Sequence, residues 1–226
     1  MGATGRLPEN IRALGFDLDG TLLDNLAQLL KAWKLAIERL GLPPKGDEEI
    51  LREFGRRTTD IALTFAGEAG KASELVRLKD EIYDRLWPKY SRLYPGVAEV
   101  LAEVKRRGFL SGVASSNRAE RIKRILNHFG IAKYIDAVVG YDEVKRGKPH
   151  PDMLLKLAEK LGVKPPQLAY VGDSIYDVEA AKRAGTLAVL IPLNPLYQIQ
   201  RDKSKVEADF KLESIRQLLK LLPEKG

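Results

Sequence analysis

Ile11-Arg12-Ala13-Leu14-Gly15-Phe16-Asp17-Leu18-Asp19-Gly20-Thr21 decides how this chain is read. A short apolar run, Ile11 to Phe16, leads into Asp-Leu-Asp-Gly-Thr, and a helical pattern follows. That order predicts a strand ending in a tight turn that displays two carboxylates. Residues two apart in an extended segment point the same way, so Asp17 and Asp19 can serve one site. Two anionic groups that close repel each other unless a cation or a proton intervenes. The economical reading is a divalent-metal site with one carboxylate free to attack a substrate. An acidic turn with Gly20 present only for its backbone freedom accounts for the same letters.

Outward from this stretch, short β-prone runs alternate with amphipathic helices. Ile11–Phe16, Phe109–Ala114, Ala137–Gly140, Leu168–Val171 and Leu187–Ile191 read as strands. Several are apolar throughout, as in a parallel sheet covered on both faces. Val97, Val100, Leu101 and Val104 share a helical face, as do Ile122, Ile125, Leu126 and Phe129, and Leu154, Leu157, Ala158 and Leu161. Leu212, Ile215, Leu218, Leu219 and Leu222 predict a last helix. Such alternation argues for an α/β fold with a doubly wound parallel sheet. From Asp24 to about Leu93 the pattern changes to helices with no convincing strand. Leu26, Leu29, Leu30, Trp33, Ile37 and Leu40 form one stripe, closed by Gly41, Pro43 and Pro44; Leu75, Leu78, Ile82 and Leu86 form another, with Pro88 near its end. This predicts a helical insertion, connected near Leu22–Asn25 and Ser91–Gly96. At the carboxyl end of a strand it overlies the usual ligand crevice, as a lid would, unless its helices are simply part of the core.

The chain has 226 residues, 44% hydrophobic and 31% charged, with Lys+Arg 38 against Asp+Glu 31. This is enough for one large domain or a core plus an insertion. The net charge of +7 favours anionic ligands, either nucleic acid or phosphorylated metabolites, although the basic residues are scattered among acids. The absence of Cys excludes disulfides and thiolate chemistry, and with few Met and many charges it fits a heat-adapted source. No apolar run reaches membrane-span length and no apolar leader opens the chain, so a cytoplasmic protein is expected.

Three further positions carry chemistry. Ser115-Ser116-Asn117 ends the second strand, where hydroxyls and N–H groups before a helix can cradle an anion, or simply cap that helix. In Gly147-Lys148-Pro149-His150-Pro151-Asp152 the prolines stiffen the segment, so that Lys148 can be a fixed positive charge near a phosphate, or a solvated loop lysine. His150 and His128 receive no catalytic role. In Val171-Gly172-Asp173-Ser174-Ile175-Tyr176-Asp177 a strand again ends in Gly-Asp, and Asp177 lies one helical turn on, facing the same way; capping by Asp173 or Ser174 is the plainer reading. In order, the sites supply acids, hydroxyl, cation and acids, all expected at one edge of a parallel sheet.

With Asp17–Thr21, Ser115, Lys148 and Gly172–Asp177 in this order, the chain resembles the haloacid dehalogenase-like hydrolase superfamily over roughly Ile11 to Leu222, and within it the phosphoglycolate phosphatases and their sugar-phosphatase relatives. The resemblance implies a Rossmann-like α/β core at 1–23 and 94–226 and an all-helical C1 cap domain at 24–93. It implies an Mg2+-dependent phosphatase of small phosphomonoesters. Asp17 would be the nucleophile that forms an aspartyl-phosphate, and Asp19 the acid and base. Mg2+ would be held by Asp17, the Asp19 carbonyl and Asp173, with Asp177 acting behind them or through water. Ser115, Ser116 and Lys148 would bind the phosphate. Asp19 argues against a dehalogenase, since halide leaves without a proton. The absence of His from Leu22 to Gln28 argues against a sugar phosphomutase or phosphotransferase, the nearer rival. A non-catalytic anion or nucleic-acid binder is the third reading, and the acidic constellation speaks against it. Arg56 and Arg57 are candidates for selecting a substrate carboxylate or second phosphate, or else exposed residues before a helix. The expected partner is a small phosphorylated metabolite, with no nucleic acid and no membrane, and the protein a monomer or homodimer.

Overall fold

The computed structural model describes residues 5–203 and 205–223. The apolar run before Asp17 forms β1 (Ala13–Phe16), buried along its whole length. It is followed by β2 (Leu23–Asp24), the helices α1 (Leu26–Arg39), α2 (Asp47–Leu51), α3 (Thr58–Ala66) and α4 (Ala69–Tyr90), and β3 (Arg92–Leu93). Strands and helices then alternate: α5 (Val97–Arg106), β4 (Leu110–Ser115), α6 (Ala119–His128), β5 (Ala137–Gly140), α7 (Asp152–Leu161), β6 (Leu168–Gly172), α8 (Ile175–Ala184) and β7 (Leu187–Leu190). Helix α9 (Leu196–Gln200), strand β8 (Phe210–Lys211) and helix α10 (Leu218–Leu221) complete the described chain.

The main sheet is parallel throughout, in the order β5-β4-β1-β6-β7-β8. Its side chains alternate between two buried layers. Leu14, Phe16, Ala169 and Val171 join α5 and α6 on one face, while Ala13, Leu168 and Tyr170 join α7 and α8 on the other. Both faces are therefore dry, which explains strands with few polar residues. Gly15 allows the second layer to close in: a Cβ there would lie 2.8 Å from Tyr170 and 2.9 Å from Leu157.

Helices α1 to α4 pack on one another through Leu29, Trp33, Ile37, Leu75 and Ile82, with Trp33 meeting Phe65 edge-on at 5.7 Å. The expected stripe on α4 is displaced. Leu78 and Leu86 are only half-buried, and the row that faces inward includes Lys79 and Tyr83. The segment is also not free of strands, because β2 and β3 pair antiparallel, Leu23 with Leu93 and Asp24 with Arg92. Two-residue strands are too short to leave a periodic signal.

The expected C-terminal helix is a second correction. Phe210 and Lys211 pair with Val189 and Leu190 as an unforeseen edge strand, and Leu212 is the buried residue that follows. Ile215–Gln217 is a 3-10 turn and only Leu218–Leu221 is α-helical. Leucines at helical spacing arise here because a strand end, a tight turn and one α turn each bury a residue in the same layer. Among the described residues no helix is long and apolar enough to cross a membrane.

Candidate active site

Strands β4, β1 and β6 are adjacent and parallel, so their carboxyl ends lie side by side. They deliver Ser115, Asp17 and Asp173 to one rim. The Asp17 N–H donates to the Val171 carbonyl at 2.8 Å, carrying the ladder one residue past β1. The chain then reverses. Leu22 and Leu23 donate back to the Leu18 carbonyl at 3.0 and 2.9 Å, and Gly20 takes a φ of 81° that disfavours any side chain. A Cβ at Gly20 would collide with the Asp173 carboxylate.

Lys148 enters from the loop before α7 and is fully buried. Its Nζ donates to Oδ1 of Asp17 at 3.0 Å and to Oδ1 of Asp177 at 2.7 Å, and lies 5.0 Å from the Tyr170 ring centre. Burial works to strip its proton, but Asp17 and Asp177 more than offset that and hold the ammonium well above the usual lysine range. Asp177 also accepts from the Ser174 N–H (3.1 Å) and hydroxyl, so the cap of α8 and the partner of Lys148 are one carboxylate. Asp173 accepts from Thr21 Oγ1 at 3.2 Å and from the Asn194 amide.

This is a site with more negative charge than one lysine can balance. Burial pushes Asp17 up from the ordinary 3.8 to about 7, with Lys148 opposing and Asp177 and Asp19 reinforcing. Burial, then Asp177 and Asp17, push Asp173 well above the carboxylate range. Oxygens of Asp17, Asp173 and Asp177 lie within 4.8 Å of one another. A small hard divalent cation fits such an all-oxygen donor set.

Asp19 sits apart from this trio, ringed by donors. Its Oδ1 accepts from the Asn25 amide and from Tyr83 OH (3.4 Å), and its Oδ2 accepts from the Asn117 amide and Ser115 Oγ (3.4 Å). Burial raises this carboxyl too, against the Asn25 hydrogen bond. A cavity opens above, floored by Asp17, Asp19, Ser115 and Asp173 and roofed by Leu29, Trp33 and Lys79, with about 40 Å³ of room.

The sequence matches the model of the haloacid dehalogenase-like hydrolases over residues 15–191. The chain belongs to the haloacid dehalogenase-like hydrolase family. Phosphoglycolate phosphatase of Escherichia coli is 34% identical over 95% of this chain and 93% of its own length. The Salmonella choleraesuis phosphoglycolate phosphatase is 35% identical over 80% and 81%. The crystal structure of a predicted phosphoglycolate phosphatase from Haemophilus somnus superposes with a TM-score of 0.77 at 26% identity, covering 94% of this chain and 98% of that one. These relatives support a phosphatase within the hydrolase family.

In this hydrolase the residues Asp17, Asp19, Ser115, Lys148, Asp173 and Asp177 meet at one rim. Ser116 adjoins them and lines the cavity, but its Oγ donates to the Gly55 carbonyl at 2.9 Å and its carbonyl accepts from Thr58 Oγ1 at 2.9 Å. The two arginines part company. Arg56 lines the cavity and pairs with Glu53, whereas Arg57 donates to the Lys145 carbonyl at 2.7 Å and covers the Tyr141 ring. Arg57 thus braces the loop that carries Lys148. Sequence reasoning missed Lys79, Tyr83, Asn25 and Asn194. Only Lys79 left a signal: a charged residue on the inward row of α4 is out of place unless it has a partner, and Asp80 at 2.6 Å is that partner.

Proposed function

We propose that the chain is an Mg2+-dependent phosphatase of small phosphomonoesters, working through an aspartyl-phosphate on Asp17. The observation that carries this is the convergence of Asp17, Lys148, Asp173 and Asp177 with Ser115 at the ends of three adjacent strands. Asp17, Asp173 and the Asp19 carbonyl would hold the ion, with Asp177 behind them. When bound, the ion neutralises charge on the phosphoryl oxygens. Ser115 Oγ, the Ser116 backbone N–H and Lys148 Nζ bind the remaining oxygens. A carboxylate oxygen of Asp17 attacks phosphorus, the ester P–O bond breaks, and Asp19 gives its proton to the departing alkoxide. Asp19 then takes a proton from water, which attacks the phosphorus and frees Asp17.

Residues 24–93 form the cap of this enzyme. The cavity beneath it, with about 40 Å³ of room, is walled on the cap side by Leu29, Trp33 and Phe54. Substrate enters by displacement of the cap about β2 and β3. The cations lining the cavity are Arg56 and Lys79, which suits a substrate with a second anionic group. Phosphoglycolate, named by the curated relatives, is the first compound to test.

Inorganic phosphate release across small phosphometabolites, with Mg2+ and with EDTA, tests the reading. Asp17→Asn is expected to lower release by on the order of 10⁴-fold with the fold retained. Wild-type turnover in that variant would remove the assigned nucleophile, and a phosphorylated product in place of free phosphate would make the enzyme a transferase.

A further inference from the structure

Arg121 on α6 is buried although it lies at the junction of two helices, and it uses its guanidinium in three directions. It donates to Asp84 on α4 at 2.8 Å, to Asp80 on α4 at 3.0 Å, and to Oδ1 of Asn117 at 3.2 Å. Its carbon lies 5.8 Å from the ring centre of Tyr83, also on α4. The neighbouring Arg118 and Arg124 reach the same two acids only at 3.8 and 3.7 Å and from exposed positions. Arg121 therefore does more than fasten two helices.

An arginine only donates. The Asn117 oxygen must face Arg121, so its NH2 group must face the other way, and it meets Oδ2 of Asp19. Arg121 and Asp19 therefore demand the same orientation of the Asn117 amide, and without Arg121 only Asp19 itself would set it. On the opposite oxygen, Asn25 and Tyr83 complete the clasp. We propose that Arg121 is a positioning residue: by fixing the Asn117 amide it aims Asp19 at the leaving-group oxygen, and it does so only while α4 is seated with Asp80 and Asp84 against it. Cap seating and readiness of the acid are thereby one event. The inference rests on the role given to Asp19 above.

Leaving-group dependence tests it, because an alkyl phosphate needs a proton on departure and p-nitrophenyl phosphate does not. The measured quantity is kcat/KM, which runs from free enzyme to cleavage of the ester bond and excludes the later hydrolysis step. Asp19→Asn is expected to lose about 100-fold or more on the alkyl ester and far less on the aryl ester, and Asn117→Ala and Arg121→Gln about tenfold on the alkyl ester and under about twofold on the aryl. Because the two act in series, the double variant should lose no more than either alone. Equal losses on both esters for Asn117→Ala or Arg121→Gln, or a multiplicative double variant, overturn the proposal. Should Arg121→Gln fail to fold by circular dichroism, Asn117→Ala, which leaves Arg121 paired with Asp80 and Asp84, carries the test alone. An Asp19→Asn variant without ester selectivity removes the role of Asp19, and this inference falls with it. Selectivity in Asp19→Asn alone removes only the inference.

Discussion

Asp17 is a carboxyl that the fold would rather keep protonated, and the pH dependence of stability follows from that. Its ordinary value is 3.8 and its folded value about 7. Between these the folded chain retains a proton that the unfolded chain has released, so stability falls as pH rises through that window and levels off above it. Asp19 and Asp173 are raised in the same sense. Asp80 and Glu103 act oppositely: burial works to raise Asp80 but Lys79 and Arg121 outweigh it, and Arg106 and Arg107 hold Glu103 down to about 2. Their contribution is complete once pH exceeds the ordinary carboxylate values. In EDTA, urea midpoints should drop between pH 5 and pH 7 by roughly 1–3 kcal/mol of stability, and Asp17→Asn should flatten that slope. A metal-free protein whose stability rises over this interval would show that the buried carboxylates are not strained by charge.

At the scale of the element, the strand-to-helix turns do most of the positioning. Strands β1, β4 and β6 hand over directly to turns, and the residues at these junctions spend their polar groups on the site. The turn after β1 has no space to spare, since Gly20 lies over Asp173 with φ of 81°. Gly20→Ala should cost about 1–3 kcal/mol from backbone strain and also weaken Mg2+ binding by displacing Asp173. A titration followed by the thermal midpoint separates the two losses. If the variant binds Mg2+ as tightly as the wild type, the turn does not set the position of Asp173. On helix α4 the inward row mixes apolar and polar residues. Leu75 and Ile82 are core as their type suggests, but Lys79 and Tyr83 lie between them because the surface they face is Asp19 and Trp33, which is partly polar.

For the whole molecule, the excess negative charge at the rim predicts that the cation is a stability term. Mg2+ at a hundredfold excess over its Kd should add about 2.7 kcal/mol, or ~5–10 °C in Tm for a chain of this length, and EDTA should reverse it. Asp173→Asn should abolish the shift, and a shift that survives would place the ion elsewhere. The sequence alone carried the parallel sheet, because strands dry on both faces must be apolar, and it singled out Asp17, Asp19, Ser115, Lys148, Asp173 and Asp177 as candidates, because their motifs fall in order at strand ends, loops and helix starts along one sheet edge. It did not reveal β8 or the β2–β3 ribbon, whose hydrogen bonds are made with distant partners and leave no local period, and it drew the last helix too long. It separated neither Arg56 from Arg57 nor Asn117 from an ordinary helix cap. Only the tertiary structure decides those, since the direction of an amide or a guanidinium is set by what faces it across the fold, here Arg121 from one side and Asp19 from the other.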